Sequence, residues 1–202
     1  ETPHVGVDRS LFHRPANNLG DAGLVPRHMV WLDIHLAGVI RHFQGPLEVT
    51  VAIAADYAGF PFKEAIKADL EAAGHEVLDL GAYGTDSVDY PDYGHALAEA
   101  ILAGRAERGI AVCGTGIGIA MAANRHPGIR AGVCHSVETA RLAREHNDAN
   151  VLALGARITD IGTARACVQT FLVTAFEGGR HVRRVAKIER NDAPAVHLKQ
   201  VK

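Results

Sequence analysis

Short apolar runs alternate with helical stretches along most of the chain, and this alternation limits the possible folds more than any other feature. Each run has about five residues, as expected for a strand that is buried on both faces. The runs lie at 51–55, 76–80, 109–113, 130–134 and 150–154. Strands that alternate with helices form parallel sheets covered by helices on both sides. The sequence therefore predicts an α/β fold, a three-layer, doubly wound sandwich around a five-stranded parallel sheet.

The stretches between these runs carry the spacing of amphipathic helices. The first predicted helix has one apolar face, formed by Phe62, Ile66, Leu70 and Ala73. Gly74 is suited to the left-handed conformation that often follows a helix. Further helices are predicted at 92–103, 117–124, 137–146 and 161–176. Sheets of this kind bind ligands beyond the carboxyl ends of their strands, so functional residues are expected directly after each strand.

The chain has 202 residues, which is more than this sheet and its helices need. We assign residues 48–190 to the α/β domain and residues 191–202 to a C-terminal tail. Residues 1–47 form an N-terminal extension, in which apolar residues at helical spacing predict one helix at 29–43. We expect this helix to cover an apolar surface of the domain or of a neighbouring subunit.

Charge and cysteine content exclude several classes of partner. Lys and Arg number 21 and Asp and Glu number 23, so no basic excess points to nucleic acid or to an anionic membrane surface. No apolar run reaches the roughly 18 residues of a transmembrane helix, and the first ten residues lack the pattern of a signal peptide. Three cysteines without CxxC spacing argue against a disulfide framework or a zinc site. We expect the protein to work in the reducing cytoplasm.

The strongest local signal is the segment CGTGIG at 113–118, which directly follows the third predicted strand and opens a helix. Glycines allow a backbone to approach a ligand closely, and successive N–H groups at the start of a helix bind anions. The dinucleotide fingerprint GxGxxG does not fit this spacing, whereas a glycine-rich turn without function remains an alternative. Cys113 favours a functional site, because a thiol before a helix is stabilised as a thiolate that acts as base or nucleophile.

Three further groups have the chemistry of a ligand site. Asp56 follows the first predicted strand, where a carboxylate binds hydroxyl groups or caps the next helix. His146 ends a helix and is either an acid or base near pH 7 or a cation favoured at that helix end. Arg180 and Arg184 form either a phosphate clamp or an exposed cationic face. An acid, a base, an anion clamp and a glycine cradle together predict a sugar-phosphate site.

Several ordered motifs resemble the ribose-5-phosphate isomerase B family, which also includes allose- and galactose-6-phosphate isomerases. The motifs are DYAGFPFK at 56–63, VDYPDYG at 88–94, CGTGIGIAMAANRHPGIRA at 113–131, REHNDANVLALGAR at 144–157 and FEGGRHVRRV at 176–185. The resemblance covers about residues 49–189. It implies an isomerisation of an aldose phosphate to a ketose phosphate that needs no metal or other cofactor. It also implies a homodimer or tetramer with the active site at a subunit interface.

The resemblance assigns roles to individual residues. It implies that Cys113, with Thr115 beside it, moves the proton between C1 and C2 of the sugar, and that His146, next to Asn147, helps to open the sugar ring. It implies that Asp56 binds a sugar hydroxyl. It also implies a backbone cradle for the enediolate, formed by the N–H groups of Gly114, Gly116, Ile117 and Gly118. The phosphate contacts that it implies come from Arg157, Arg180 and Arg184.

One position departs from the family pattern. The family usually has His after the aspartate, and this chain has Tyr57, a phenol without positive charge at neutral pH. Tyr57 is therefore expected to contact the substrate and to influence which sugar phosphate the protein accepts. We favour D-ribose 5-phosphate and D-ribulose 5-phosphate as the substrate pair. The alternatives are a tetrose or hexose phosphate, or a sugar-phosphate-binding protein without turnover, although retention of the predicted catalytic residues counts against the last.

Overall fold

The computed structural model describes residues 49–189, and these residues form a five-stranded parallel sheet. The strands are β1 (Thr50–Ala55), β2 (Glu76–Asp79), β3 (Arg108–Cys113), β4 (Ala131–Val133) and β5 (Val151–Gly155). Their order is β2-β1-β3-β5-β4, and every neighbouring pair is parallel. The predicted sheet and its five strands are confirmed, with strand ends that differ by one residue. The predicted helix at 29–43, the rest of the extension and the tail lie outside the described residues.

Six helices accompany the sheet within residues 49–189. They are α1 (Phe60–Ala72), α2 (Tyr90–Leu102), α3 (Ile117–Ala123), α4 (Val137–Asn147), α5 (Ile161–Val173) and α6 (Arg180–Val185). The prediction for α5 was too long, because Thr174 is extended and its hydroxyl bonds the carbonyl of Thr170. The sequence analysis did not predict α6. None of the described helices has the length and apolar character needed to span a membrane.

The two faces of the sheet are packed differently. On one face the large side chains of the central strands, among them Ile53, Ile110 and Leu152, contact α1, α4 and α5. On the other face small side chains such as Ala52 and Ala111 contact α2 and α3. Large and small residues largely alternate along the central strands β1, β3 and β5, because successive side chains point to opposite faces. Helices therefore cover both faces, which confirms the doubly wound sandwich.

Helix α1 buries a charged residue that its apolar pattern did not predict. Ile66 and Leu70 are buried as expected, but Ala73 is exposed, because α1 ends at Ala72 before the predicted apolar face is complete. Gly74 has a φ of +87° and follows the helix end as predicted. Lys63 is fully buried on the same helix.

Lys63 is held by a carboxylate at the end of β2. Its Nζ donates to both carboxylate oxygens of Asp79 at 2.7 and 2.8 Å, and it contacts Glu64 at 2.7 Å. Lys67, which is more exposed, also donates to Asp79 at 3.0 Å. Burial raises the pKa of Asp79, but the hydrogen bonds from Lys63, the Gly81 amide and Lys67 outweigh burial and lower the pKa overall. This ion pair ties α1 to the end of β2.

We expect Lys63→Met to lower the free energy of unfolding at pH 7 by about 3 kcal/mol, because it leaves a largely buried carboxylate without its main partner. Lys67→Met is the matched control and is expected to cost less than about 1 kcal/mol, because its side chain is partly solvated. Urea denaturation measures both values.

The pH dependence adds a second check on the same pair. Because folding lowers the pKa of Asp79, its contribution is complete above the unfolded pKa of about 4 and disappears as the pH falls through the folded pKa. The cost of Lys63→Met should therefore shrink below about pH 4. Equal losses in the two Met variants would contradict this account.

Candidate functional site

The carboxyl ends of β1, β3 and β5 meet at one edge of the sheet, because the strands are parallel neighbours. Asp56 follows β1, and its N–H donates to the carbonyl of Val112 in β3 at 3.1 Å. Cys113 ends β3 opposite Gly155 of β5. The structure therefore brings two of the predicted site residues, Asp56 and Cys113, to the same edge.

The thiol of Cys113 lies under the glycine-rich loop. Its side chain is buried, and the N–H of Gly116 donates to Sγ at 3.0 Å. A backbone donor directed at sulfur interacts more strongly with a thiolate than with a neutral thiol. The loop is closed further by the N–H of Ile117, which donates to the hydroxyl of Thr115 at 3.3 Å. The N–H of Gly116 thus gives the Cys113 sulfur the kind of hydrogen-bond donor that a base or nucleophile requires.

The loop and the end of β5 lie so close together that neither Gly116 nor Gly155 has room for a side chain. A Cβ on Gly155 would lie 2.7 Å from the carbonyl of Thr115, and one on Gly116 would lie 2.9 Å from the backbone carbon of Leu154. Gly116 also has a φ of +76°, which L side chains rarely adopt. Residues 114–116 therefore pack directly on the end of β5, and the glycines serve close approach between two backbone segments.

Arg157 lies against this loop on the side of β5. Its N–H donates to the carbonyl of Gly114 at 2.9 Å, and its guanidinium lies 3.4 Å from the position a Gly114 Cβ would take. The residue is exposed. A guanidinium beside a run of glycine N–H groups suits an anionic ligand, because it offers paired donors to phosphate or carboxylate oxygens.

Asp56 and Tyr57 complete this edge. Asp56 is buried, and its Oδ1 accepts the N–H of Gly59 at 2.8 Å, so one oxygen closes the turn before α1. The alternative that Asp56 caps α1 is wrong, because the N-cap residue of that helix is Gly59 and no side chain caps it. Tyr57 is half-buried and, among the described residues, has no hydrogen-bond or ring partner. Its phenol is available to a ligand. We define the carboxyl-edge group as Asp56, Tyr57, Cys113, the loop 114–118 and Arg157.

A second set of predicted residues gathers around His146. The ring of His146, in the last turn of α4, stacks on the ring of His181 with centroids 4.3 Å apart and planes 6° apart. Glu177 Oε2 lies 3.6 Å from His146 Nε2 and 3.3 Å from His181 Nε2. Arg180 Nε donates to His181 Nε2 at 3.2 Å. We define the histidine group as His146, Asn147, Glu177 and the α6 residues Arg180, His181 and Arg184.

The surroundings of His181 favour its neutral form. Burial lowers the pKa of His181, electrostatic repulsion from His146, Arg180 and Arg184 lowers it further, and Glu177 opposes them. A neutral imidazole has one acceptor nitrogen, and the bond from Arg180 identifies it as Nε2. His181 therefore carries its proton on Nδ1.

The histidine group also contains three potential metal ligands, from His146, Glu177 and His181, whose ligand atoms lie within 4.8 Å of one another. An imidazole binds a metal along the lone pair in its ring plane. Two rings in parallel planes do not direct their lone pairs to one point, so the trio does not fit a single ion without a ring rotation. The absence of a metal from the site remains a prediction.

The two groups lie at opposite edges of the sheet within one chain. A helix between two parallel strands runs back along the sheet, so α4 ends where β5 begins. Between that point and Cys113 lies the length of β5, roughly 16 Å for five residues. No hydrogen bond, ion pair or ring contact in residues 49–189 joins Cys113 to His146. Asp56 and Cys113 lie at the carboxyl ends of strands, and His146 lies in the last turn of α4 at the opposite edge. The roles of all three residues stay predictions.

Sequence reasoning missed the charges that hold the end of α4. Asp148 follows the helix with a φ of +45°, and its carboxylate binds Arg144 at 2.8 Å and Arg130 at 2.9 Å. Arg130 Nε also donates to the carbonyls of Asn147 and Asp148. All three residues lie within motifs quoted above, but Arg130 belongs to a different motif, and only the fold brings it to Arg144 and Asp148.

Comparison with known proteins gives consistent matches over the described region. A sequence model of the family described as Ribose/Galactose Isomerase matches residues 51–188. Ribose-5-phosphate isomerase B of Escherichia coli strain K12 is 44% identical over 138 residues, which cover 68% of this chain and 93% of that protein. The matched region contains both groups of site residues.

Solved structures give the same result. A ribose 5-phosphate isomerase from Thermotoga maritima has a TM-score of 0.69 and 50% identity and covers 70% of this chain and 97% of its own. Ribose-5-phosphate isomerase B from Mycoplasma genitalium, with bound ribulose-5-phosphate, has a TM-score of 0.66 and 39% identity, covering 69% of this chain and 93% of its own.

The tight contact between the loop and β5 can be tested at Gly116. Gly116→Ala is expected to lower the free energy of unfolding by about 1–3 kcal/mol more than Gly104→Ala, because the new Cβ meets the β5 backbone. Gly104 is the control, since its φ is +69° and a Cβ there meets nothing within 4 Å. Both variants carry the left-handed penalty of about 1–2 kcal/mol. Equal losses in urea denaturation would show that the loop yields to the added methyl group.

Proposed function

This chain belongs to the ribose/galactose isomerase family, and from that membership we propose that it interconverts D-ribose 5-phosphate and D-ribulose 5-phosphate. The observation that carries the proposal is the Cys113 thiol, which receives the Gly116 N–H at the edge where Asp56 and Arg157 also lie. A base, a run of backbone donors, a carboxylate and a guanidinium are the groups that such a reaction requires.

The reaction moves hydrogen within one sugar and needs no external oxidant or reductant. The Cys113 thiolate takes the proton from C2 of the open-chain aldose, and the electron pair of that bond forms the enediolate. Cys113 then returns the proton to C1, while a second proton moves from the C2 oxygen to the C1 oxygen. The N–H groups of residues 114–118 stabilise the negative oxygen of the enediolate, as preorganised donors do most effectively where charge develops.

Substrate recognition follows from the groups around this base. The Asp56 oxygen that does not bind Gly59 accepts a sugar hydroxyl. Arg157 binds the phosphate together with Arg180 and Arg184, because planar guanidinium groups pair with phosphate oxygens two at a time. The phenol of Tyr57 donates a neutral hydrogen bond where relatives usually carry an imidazole. This exchange favours the second candidate, an aldose phosphate of another length or configuration.

One active site draws on two chains in this proposal. Within a chain, the histidine group lies at the edge opposite to Cys113, so a second copy must supply His146, Arg180 and Arg184. A two-fold dimer places the histidine group of each chain over the carboxyl-edge group of the other and forms two identical sites. Ile117 and Met121 on α3 are large apolar residues that are at least half exposed beside the loop, which supports an interface there.

The compartment is part of the proposal as well. Cys113, Cys134 and Cys167 are all unpaired thiols. A base of this kind stays active only when it remains reduced, which is consistent with action in the cytoplasm.

The decisive experiment incubates the wild-type chain with aldose phosphates of four to six carbons and follows their conversion by NMR. We expect the wild type to convert D-ribose 5-phosphate. Cys113→Ala should lose a factor of about 10²–10⁴ in turnover, because the proton then has no acceptor. Cys134→Ala is the matched control and should retain activity, since burial raises the pKa of that thiol to about 11. A folded Cys113→Ala variant within a few-fold of the wild type would contradict the role of Cys113.

The two-chain site predicts complementation between inactive variants. Cys113→Ala and Arg180→Ala are each expected to be nearly inactive, and mixing them under subunit exchange should restore about a quarter of the wild-type activity, because half of the dimers then contain one intact site of two. Coupled assays and light scattering on the same mixture provide the measurement. A monomeric active wild type, or no recovery although subunits exchange, would exclude a shared site.

A further inference from the structure

The carboxylate of Glu177 is held against the last turn of α4. The N–H of Glu177 donates to the carbonyl of Glu145 at 3.1 Å, and the carbonyl of Thr174, three residues earlier, accepts from Arg144 Nε at 3.2 Å. The segment between α5 and α6 is therefore fixed to α4 by its backbone. This attachment places Glu177 Oε2 3.6 Å from His146 Nε2.

Of the two stacked rings, His146 is the one that can form an ion pair with this carboxylate. His181 Nε2 accepts a hydrogen bond from Arg180 Nε at 3.2 Å, so this nitrogen carries no hydrogen. It has no N–H to offer Glu177 at Nε2. His146 is more exposed than His181, and its imidazolium form carries an N–H at Nε2 that faces the carboxylate.

We propose that Glu177 is a positioning residue for His146, an inference that rests on the proposed isomerase function. The carboxylate of Glu177 forms an ion pair with protonated His146 at Nε2, 3.6 Å away, and the ring of His181 stacks on the face of the imidazole. The partner of one ring nitrogen fixes the role of the other. Nδ1 is therefore the nitrogen that exchanges a proton with the sugar.

The step that depends on this arrangement is the opening of the sugar ring. The C1 hydroxyl loses its proton to water and becomes the carbonyl, the bond between C1 and the ring oxygen breaks, and the ring oxygen takes the proton from His146 Nδ1. The later proton transfer by Cys113 does not involve His146. Loss of Glu177 should therefore slow ring opening and closing while proton transfer at C1 continues.

The test separates these two steps with D-ribulose 5-phosphate, which is acyclic because its 5-oxygen carries the phosphate. In D₂O, proton transfer by Cys113 places deuterium at C1 of the ketose, whereas appearance of the cyclic aldose also requires ring closure. NMR measures both rates in one sample. The variants are Glu177→Gln and the matched control Glu145→Gln, whose side chain pairs with Arg141 rather than with His146.

Glu177→Gln is expected to slow formation of the cyclic aldose by roughly tenfold and to change the rate of deuterium entry by less than about twofold. The expected fall in the rate of aldose formation is smaller than removal of the acid itself would give, because the carboxylate of Glu177 is partly solvated. Glu145→Gln should leave both rates within about twofold of the wild type. Cys113→Ala should abolish both.

Two results would overturn the inference alone. One is an unchanged rate of aldose formation in Glu177→Gln, and the other is a proportional fall of both rates, which a merely structural role produces. A wild-type chain that neither forms aldose nor exchanges deuterium would instead overturn the proposed function, and the inference with it.

Discussion

The register between β3 and its two neighbours is the constraint on which the rest of this structure depends. Ala55 pairs with Val112, and Cys113 pairs with Gly155, so three strands end side by side. A shift of one residue would exchange the large and small faces of a strand and would turn the Cys113 side chain away from the loop. Packing of the two helix layers and placement of the proposed base are therefore consequences of one set of hydrogen bonds.

Charged residues fix the chain at both edges of the sheet. At the carboxyl edge Lys63 and Asp79 tie α1 to the end of β2. At the amino edge Asp148 lies between Arg130 and Arg144, directly after His146 and Asn147. Buried or half-buried ion pairs add little net stability, but breaking one is costly, so they define local geometry more than they stabilise the fold. The Asp148 pairs lie beside His146 and Asn147, which we assign to the site.

The division of the site residues between two edges is the reason for proposing that two chains form one site. The carboxyl-edge group contains the proposed base and the backbone donors, and the histidine group contains the proposed acid and most of the cationic charge. Each group is ordered by its own local contacts, Cys113 by the Gly116 amide and His146 by the His181 ring. In the proposed dimer, two surfaces whose side chains are already ordered would come together, which lowers the cost of ordering side chains during binding.

The sequence by itself determined the strands, most of the helices and the residues after β1 and β3, because apolar runs and glycine-rich turns are local signals. It also carried the family motifs that named Cys113 and His146. Only the tertiary structure decided that Lys63 is buried, that Ala73 is exposed and that His146 lies at the edge opposite to Cys113. The stacking of His146 on His181 and the approach of Glu177 were likewise decided there. The burial of Lys63 against Asp79 and the stacking of His146 on His181 join residues 16 and 35 positions apart in the chain. Such contacts follow from how the helices pack on the sheet rather than from the spacing of residues within any one segment.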